Sequence, residues 1–471
     1  MTLVAGIDSS TQSCKVTVRD LATGVQVRHG KAPHPPGTIV DPEVWWDALL
    51  VAVQRAGGLD DVAAVSVSGQ QHTPVFLDAD GRIVCDSPLW NDTGSHPHMV
   101  ALNAELGRSE WILRTGLPLT LSDTAAKLRW LRDTDPVATA RTAAVAVVHD
   151  WLTWRLRGAG AGRVEDLTTD RSEASGTAYW SPETGEYCTD LFAHAFGKTC
   201  VLPRVLEPLD RAGVTGPDLP GIPAGIPIGV GGGDNAAAAL ALGLQEGDAV
   251  MSLGTSGVVY TRSSVPVHDL SGSVCSYADA TGAHLPLVAT LNGARNFDAG
   301  AGLLGCTYAE LSELALEAPP GADGLTLLPF FEGERTPDLP HARASLHQAS
   351  LANFTRANFA RAVVEGTMAS QVAMLGALRG CGLSPERLLL IGGAAASPAV
   401  QTVLGQLVDL AVVVPETDEH VTKGAALQAG AALQGAFPVW DVPVRRLPHR
   451  EVEARIGEQH AAALRALGHV G

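Results

Sequence analysis

Short apolar runs that end in turns of small residues recur along the chain, and they predict strands that lead into hairpins or helices. The first run, residues 3–7, leads into Asp8 and a small polar turn, after which residues 14–20 alternate between apolar and polar side chains. This is the pattern of a strand, a tight turn and a returning strand. The turn contains Ser10, Thr11 and Gln12.

Such a turn is suited to phosphate, because small side chains leave backbone N–H groups accessible to phosphate oxygens. Asp8 at the strand end would face the same space, where a carboxylate is a suitable ligand for Mg²⁺. An ordinary hairpin with a solvated aspartate is the alternative interpretation.

A second copy of this pattern favours the phosphate interpretation. Residues 249–261 repeat the apolar strand, the small turn and the returning strand roughly half a chain later. The repeat predicts two domains of related fold, over residues 1–230 and 231–471, each opening with a phosphate-binding hairpin. The second turn contains Gly254, Thr255 and Ser256.

Another apolar run, residues 226–230, is followed by three glycines, Asp234, Asn235 and an alanine-rich stretch. Glycines at the end of a strand allow a substrate to approach the backbone closely. Asp234 is therefore a candidate general base. The alternative is that Asp234 only caps the alanine-rich helix.

Polar side chains also follow the strand predicted over residues 62–67, where Gln71 and His72 stand at the strand end. Strand ends are the usual position for ligand contacts in an open α/β sheet, although a lone histidine is more often a surface or core residue. Residues 73–84 predict a further hairpin. Trp90, beside two polar residues, is suited either to a sugar pocket or to the core.

In the second half, residues 354–378 predict a long helix and residues 388–391 a buried strand that ends in Gly392 and Gly393. Glycines there would let a flat adenine approach, or would serve tight packing of strand on helix. Two nucleotide motifs fail. Asp234 stands where a dinucleotide fingerprint needs glycine, and Phe192 stands where a Walker A loop needs glycine.

Composition narrows the possible functions. A chain of 471 residues with 46% hydrophobic residues is expected to form two domains. Its net charge of −17 argues against nucleic acid and anionic membranes as partners. Seven scattered cysteines predict reduced thiols. An early charge at Asp8 argues against a secretory signal, and no apolar run is long enough to span a bilayer, so we expect a cytoplasmic protein.

Taken together, these motifs resemble those of the FGGY family of carbohydrate kinases, and within that family the xylulokinases most closely. The similarity extends over nearly the whole chain, and the order and spacing of the motifs are more specific than any one motif. The matching stretches are residues 6–11, 45–46, 69–72, 89–92, 172–177, 231–236, 252–257, 333–337 and 391–393.

The resemblance implies an α/β fold of two actin-like, RNase H-like domains of the ASKHA superfamily with a central cleft. Sugar would bind mainly on the first domain and ATP mainly on the second. Asp234 would be the catalytic base, and Asp8 would help to place Mg²⁺. The remaining implied contacts are Gln71, His72, Asp234 and Asn235 to sugar, Gly254, Thr255 and Ser256 to the phosphates of ATP, and Gly392 and Gly393 to adenosine.

The implied reaction is phosphorylation of a sugar by Mg-ATP, with D-xylulose as the favoured substrate and D-xylulose 5-phosphate as product. A kinase for ribulose, a pentitol or gluconate is an alternative, as is a non-catalytic sugar-sensing pseudokinase. Glycerol is disfavoured, because the Arg-Glu-Thr stretch of glycerol kinases is absent. The expected partners are sugar and ATP, and a homodimer is left open.

Three departures from the family pattern limit how far the substrate and site roles of the family apply to this chain. Gln71 stands where xylulokinases commonly have methionine, and Thr93 begins a stretch that lacks the usual arginine. Both lie in the sugar half, so the reaction is better specified than the sugar. In the adenosine loop, residues 394–396 are all alanine where an arginine is usual, which bears on nucleotide contacts.

Overall fold

The computed structural model describes residues 1–158, 163–416 and 419–468. The fold is mixed α/β, as the sequence predicts. The strands are β1 (Leu3–Ser9), β2 (Ser13–Asp20), β3 (Gln26–Pro33), β4 (Ile39–Val40), β5 (Val62–Gly69), β6 (Pro74–Leu77), β7 (Ser87–Pro88), β8 (Ala144–Val147), β9 (Thr168–Asp170), β10 (Arg204–Leu206), β11 (Arg211–Val214), β12 (Pro227–Gly229), β13 (Gly232–Gly233), β14 (Asp248–Leu253), β15 (Gly257–Thr261), β16 (Cys275–Ala278), β17 (His284–Thr290), β18 (Thr326–Leu328), β19 (Ser345–His347), β20 (Arg387–Ile391), β21 (Ala411–Pro415) and β22 (Val444–Arg446).

The helices lie between these strands. They are α1 (Glu43–Arg55), α2 (His96–Leu106), α3 (Arg108–Thr115), α4 (Thr124–Thr134), α5 (Pro136–Arg141), α6 (Val148–Leu156), α7 (Arg171–Ser175), α8 (Thr189–Phe196), α9 (Asp234–Ala241), α10 (Arg295–Leu304), α11 (Tyr308–Glu317), α12 (Arg356–Gly380), α13 (Pro398–Leu407), α14 (His420–Gln434) and α15 (Ala454–Ala466).

The chain divides into two compact units. The first contains Met1–Leu244, Ser264–Leu285 and Thr417–Val442, and the second contains Gln245–Ser263, Pro286–Glu416 and Pro443–Gly471. Residues 231–244 therefore group with the first unit, whereas the predicted division falls after residue 230. The first unit also takes in two later segments.

The first unit is built on a sheet ordered β11-β12-β5-β1-β2-β3. β1 pairs antiparallel with β2 and parallel with β5, so the chain makes the predicted hairpin before crossing back. Helix α14 packs against β1 and β5. A Cβ at Gly6 would lie 1.9 Å from the Thr422 carbonyl oxygen, so the glycine permits this close contact.

The sheet of the second unit repeats that plan with β17-β15-β14-β20-β21-β22. β14 pairs antiparallel with β15 and parallel with β20, as β1 does with β2 and β5. The predicted relation between the two halves is therefore confirmed by strand order and direction. The long helix predicted over residues 354–378 is α12, and the predicted strand over 388–391 is β20.

The hairpin predicted over residues 73–84 is confirmed, and β6 also pairs antiparallel with β8. The turn itself is present, since Gly81 N donates to the Asp78 carbonyl oxygen at 2.9 Å. The second arm pairs with β6, because Val84 N donates to the Phe76 carbonyl oxygen at 2.9 Å and Leu77 forms an antiparallel bridge with Ile83.

Candidate active site

Asp234 lies at the point where the first sheet gives way to a helix. β13 pairs with the end of β5, and α9 begins at Asp234. The residue at the helix N-cap is Gly233, so the alternative in which Asp234 is the cap does not match the structure. One Asp234 carboxylate oxygen accepts hydrogen bonds from Asn235 N at 2.7 Å and Asn235 Nδ2 at 2.9 Å.

The surroundings of Asp234 make its carboxylate more basic than usual. Part of the side chain reaches solvent, but it stands deep among protein atoms, and this burial raises the pKa of Asp234 to about 6. The bonds from backbone N–H groups partly oppose the rise. A carboxylate of this kind is still ionised near neutral pH and is able to accept a proton.

Asp8 lies at the end of β1 and is only 1% exposed. Its Oδ1 accepts a hydrogen bond from Ser10 Oγ at 2.5 Å. Burial raises the pKa of Asp8 to about 7, the bond from Ser10 and the charge of Lys15 lower it, and the charge of Asp234 raises it further. The two carboxylates therefore lie close enough to repel each other.

The turn after β1 makes contact with Trp90. The Trp90 Nε1–H donates to Thr11 Oγ1 at 2.8 Å, and the ring is only partly buried. The backbone of Gln12 accepts a hydrogen bond from His34 N at 2.8 Å. Trp90 is thus a half-exposed residue beside the predicted phosphate turn, which agrees with the pocket alternative better than with a core position.

Gln71 follows β5 and is buried. Its Nε2 donates to the Ser172 carbonyl oxygen at 3.0 Å. A Cβ at Gly233 would lie 2.7 Å from Gln71 Cγ, so the Gln71 side chain lies directly against the glycine that precedes Asp234.

His72 has a left-handed backbone, with φ of 72°, which is uncommon for a residue other than glycine. Its Nδ1 lies 2.6 Å from the Gly176 carbonyl oxygen and 3.5 Å from Asp123 Oδ1. Backbone strain of this kind tends to occur at functional sites, where the surrounding contacts maintain it.

The structure adds residues to which the sequence analysis gave no role. Asp170 accepts hydrogen bonds from Ser172 N at 2.7 Å and from Ser172 Oγ at 2.6 Å, and Ser172 Oγ accepts one from Gly233 N at 2.9 Å. Lys15 lies opposite Asp8 in the antiparallel pairing of β1 with β2, and its Nζ lies 2.6 Å from Glu419 Oε2. The match of residues 172–177 to the family was the available signal for Ser172, and the alternation of β2 was the signal for Lys15.

In the second unit, the turn between β14 and β15 contains Gly254, Thr255 and Ser256. Gly254 and Thr255 are exposed. The turn is bound to a neighbouring segment, because Ala294 N donates to the Gly254 carbonyl oxygen at 2.7 Å and Gly293 N donates to the Thr255 carbonyl oxygen at 3.2 Å.

Gly392 and Gly393 follow β20, which pairs with β14. The two glycines differ. Gly392 has φ of 92°, and a Cβ there would lie 2.4 Å from the Leu253 carbonyl oxygen, so Gly392 serves tight packing. A Cβ at Gly393 would meet no atom of the described residues within 4 Å, so Gly393 leaves open space.

The predicted residues are divided between the two units. The first unit contains Asp8, Ser10, Thr11, Gln12, Gln71, His72, Trp90, Asp234 and Asn235. The second unit contains Gly254, Thr255, Ser256, Gly392 and Gly393.

Comparison with known families supplies the decisive observation. The model of the N-terminal domain of FGGY carbohydrate kinases matches residues 3–241, and the model of the C-terminal domain matches residues 249–433. The chain belongs to the FGGY family of carbohydrate kinases. Membership makes it a sugar kinase with an actin-like fold, and implies that ATP and a sugar are its substrates.

Relatives within this family are named xylulose kinases. The chain is 42% identical to the xylulose kinase of Streptomyces rubiginosus over 93% of this chain and 89% of the relative. It is 31% identical to the xylulose kinase of Haemophilus influenzae over 90% of this chain and 89% of that relative. The solved xylulose kinase of Bifidobacterium adolescentis is 42% identical, with a TM-score of 0.91 over 98% of this chain and 99% of that one.

None of the helices within the described residues is both long enough and apolar enough to cross a membrane.

Proposed function

We propose that this FGGY kinase transfers the γ-phosphoryl group of Mg-ATP to a hydroxyl of D-xylulose, giving D-xylulose 5-phosphate and ADP. The observation that carries the proposal is the Asp234 carboxylate, which stands at a strand end with a pKa raised to about 6 by burial. The choice of D-xylulose rests on relatives at 42% and 31% identity that are named xylulose kinases.

In the proposed step, Asp234 accepts the proton of the sugar hydroxyl. The oxygen forms a bond to the γ-phosphorus while the bond from that phosphorus to the bridging oxygen of ADP breaks in line. The electron pair of the broken bond stays on ADP, and the proton stays on Asp234 until product leaves. A positioned base of this kind contributes about 10² to 10⁴ in rate.

Asp8 fits a role as a ligand for Mg²⁺, directly or through water. It supplies the carboxylate oxygen that this ion prefers. Burial disfavours the charged form of Asp8 and raises its pKa, and a bound cation would stabilise that charged form. Across residues 1–158, 163–416 and 419–468 there is no cluster of three protein ligands for a metal. That agrees with an ion bound mainly by phosphate and water, which would neutralise charge on the phosphoryl oxygens.

The remaining contacts are proposed from position. Asn235 contacts Asp234, Gln71 contacts Gly233 and Trp90 contacts the first turn, while His72 follows Gln71 in the chain, and we assign all four to the sugar. The backbone at Ser10, Thr11 and Gln12 and at Gly254, Thr255 and Ser256 is assigned to the phosphates, and Gly392 and Gly393 to the adenosine side. The domain division after residue 230, a cytoplasmic location and a homodimer stay predictions.

The direct test is ADP release with Mg-ATP and a panel of D-xylulose, D-ribulose, L-ribulose, xylitol, gluconate and glycerol. We expect D-xylulose to give the highest kcat/KM. Asp234→Ala should lower kcat by at least about 10²-fold while sugar binding persists, since the base acts on the chemical step. Wild-type turnover in that variant would disprove the role of Asp234.

If another sugar gives the highest kcat/KM, the proposed reaction is still supported. The departures at Gln71 and Thr93 would then be the expected cause of the changed sugar specificity. Sugar binding without ADP release, for every sugar of the panel, would instead support the pseudokinase alternative.

A further inference from the structure

His149 lies in the first turn of α6, next to the loop that leads from Val230 to Asp234. Its side chain is fully buried at 0% exposure. Its Nε2 lies 2.8 Å from the Val230 carbonyl oxygen, and its Nδ1 lies 3.0 Å from Asp150 Oδ1. A carbonyl oxygen accepts only, and an ionised carboxylate accepts only. Nε2 must therefore carry a proton, and beside an ionised carboxylate Nδ1 carries one as well, so that the ring is an imidazolium.

The charges around His149 agree with that state. Burial lowers the pKa of His149, but the bond to Asp150 and the charges of Asp150 and Asp170 outweigh this and raise it above its usual value. Burial also raises the pKa of Asp170, which the His149 charge opposes. Nearby Glu173 is fully buried, and burial with the charges of Asp150, Asp170 and Asp234 raises its pKa well above the usual range.

The Asp150 carboxylate is itself fixed. Its second oxygen, Oδ2, accepts a hydrogen bond from Val147 N at 2.9 Å at the start of α6. The ring of His149 therefore has a carboxylate on one side that cannot swing away without loss of this bond. Such an arrangement orients the imidazolium toward the Val230 carbonyl.

The ring also fills the space between the ends of two strands. A Cβ at Gly231, where φ is 80°, would lie 2.3 Å from His149 Nε2, and a Cβ at Gly69 would lie 3.2 Å from His149 Cβ. Gly231 stands three residues before Asp234, and Gly69 stands two residues before Gln71. A displacement of His149 would therefore reach both the Asp234 loop and the end of β5.

We propose that His149 is a positioning residue for Asp234: the Asp150-bound imidazolium binds the Val230 carbonyl oxygen and so sets where residues 231–233 place the Asp234 carboxylate. This inference rests on the proposed role of Asp234 as base. His149 is fully buried and is not among the residues proposed to contact the sugar or ATP. Its effect would be on the geometry of the chemical step.

The kinetic test compares His149→Gln and His149→Phe with wild type. Displacement of a catalytic group by about 1 Å costs about 10²-fold in rate, so we expect kcat to fall by about that factor while KM for ATP stays within about threefold. His460→Gln is the matched control. His460 is a buried histidine of the second unit whose burial lowers its pKa to about 4, so its ring is neutral.

His460→Gln should keep wild-type kcat even if it lowers the melting temperature. A His149→Gln variant with wild-type kcat would overturn the inference, as would an equal loss of kcat in His460→Gln.

A second readout does not depend on activity. In the ¹⁵N NMR spectrum of the wild-type enzyme, both ring nitrogens of His149 should be protonated at pH 6, which is below the ordinary pKa of histidine. A neutral ring at pH 6 would overturn the inference. Asp234→Asn, assayed in parallel, separates the two proposals: full activity there refutes the role of Asp234, whereas an inactive Asp234→Asn beside an active His149→Gln refutes only the role of His149.

Discussion

Asp8 lies at the end of β1 and Asp234 directly follows β13, and these two strands pair with opposite edges of the same strand, β5. Asp8 is the register partner of Ser68 on one edge, and Gly232, two residues before Asp234, is the partner of Ser68 on the other. Two strand spacings, about 10 Å, therefore separate the two backbones, and the end of β5 leads between them to Gln71. Burial raises the pKa of both carboxylates, to about 7 and about 6.

This arrangement predicts that Asp234 lowers the stability of the enzyme. A carboxyl whose pKa is higher in the folded state binds more protons there than in the unfolded chain, so stability falls as the pH rises from about 4 to about 6. Asp234→Asn removes the penalty. We expect its free energy of unfolding to exceed that of wild type by about 1–3 kcal/mol at pH 8 and to match it at about pH 3.5.

Chemical denaturation at the two pH values measures this difference. Asp47→Asn, on the exposed face of α1, is the control and should change stability by less than about 0.5 kcal/mol. A destabilised Asp234→Asn at pH 8 would contradict the assigned burial effect.

The same pKa predicts how activity depends on pH. Because the base must be ionised to accept a proton, kcat/KM should fall as the pH drops below about 6, with one proton taken up. Asp8 and Asp234 interact, so the apparent value belongs to the pair. A discontinuous assay of ADP from pH 5 to pH 8.5 avoids the pH limits of coupling enzymes. A flat profile over that range would speak against a carboxylate base.

The parts of the site that were predicted from sequence are those encoded locally. Both hairpins were predictable because an apolar strand, a small turn and an alternating strand are adjacent in the chain. Asp8 and Asp234 became candidates for the same reason, since Asp8 directly follows an apolar run and Asp234 follows one after three glycines. The repeat of two related units follows from those same patterns, whereas the actin-like fold was predicted from the resemblance to the FGGY family.

The parts of the site and of the fold that the sequence did not predict depend on contacts between segments that are distant in the chain. Ser172 Oγ meets Gly233 N from 61 residues away, and His149 meets the Val230 carbonyl from 81 residues away. No periodicity or turn composition encodes such a pairing. The return of α14 to the first unit was missed similarly, because it depends on close contact such as that between Gly424 and the Ala237 carbonyl oxygen, 2.0 Å from a Cβ built on that glycine.

The contact between Gly233 and Gln71 predicts a non-additive pair of substitutions. In Gly233→Ala the new methyl group would lie 2.7 Å from Gln71 Cγ, so Gln71 must move and the proposed sugar contact is lost. We expect KM for the sugar to rise by about tenfold, a loss of about 1.4 kcal/mol of binding. Gln71→Ala should do the same alone, and the double variant should be no worse than either.

A double-mutant cycle on KM for the sugar tests this coupling. Gly302→Ala, in α10, is the control, since a Cβ there meets no atom of the described residues within 4 Å. Additive losses in the double variant would show that Gly233 and Gln71 act separately.

The two glycines after β20 should respond differently to alanine. Gly392→Ala places a Cβ 2.4 Å from a backbone oxygen of Leu253 at a positive φ, so we expect a loss of stability of about 2 kcal/mol or more. Gly393→Ala should leave stability within about 0.5 kcal/mol of wild type. If adenosine lies against Gly393, that variant should raise KM for ATP and leave KM for the sugar unchanged.

Thermal unfolding and initial-rate kinetics on both variants separate the two effects. An unchanged KM for ATP in a stable Gly393→Ala variant would remove Gly393 from the nucleotide contacts.

Glu334 predicts an indirect effect on the second phosphate turn. The side chain is 1% exposed, and its oxygens accept hydrogen bonds from Leu291 N at 2.7 Å and Asn292 Nδ2 at 3.0 Å. Residues 293 and 294, which come next, are those that donate to the Gly254 and Thr255 carbonyls. Glu334 therefore holds residues 291 and 292 in place, and the residues next to them hold the turn between β14 and β15.

In Glu334→Gln, one acceptor oxygen becomes an NH₂ group that faces a donor, and an unsatisfied buried group costs about 1–3 kcal/mol. We expect a loss of stability of that size together with a rise of about tenfold in KM for ATP, since the turn loses its fixed position. Glu332→Gln is the control two residues away, because Glu332 makes an exposed ion pair with Arg295, and such pairs contribute little. A rise in KM for the sugar alone in Glu334→Gln would contradict a contact between this turn and ATP.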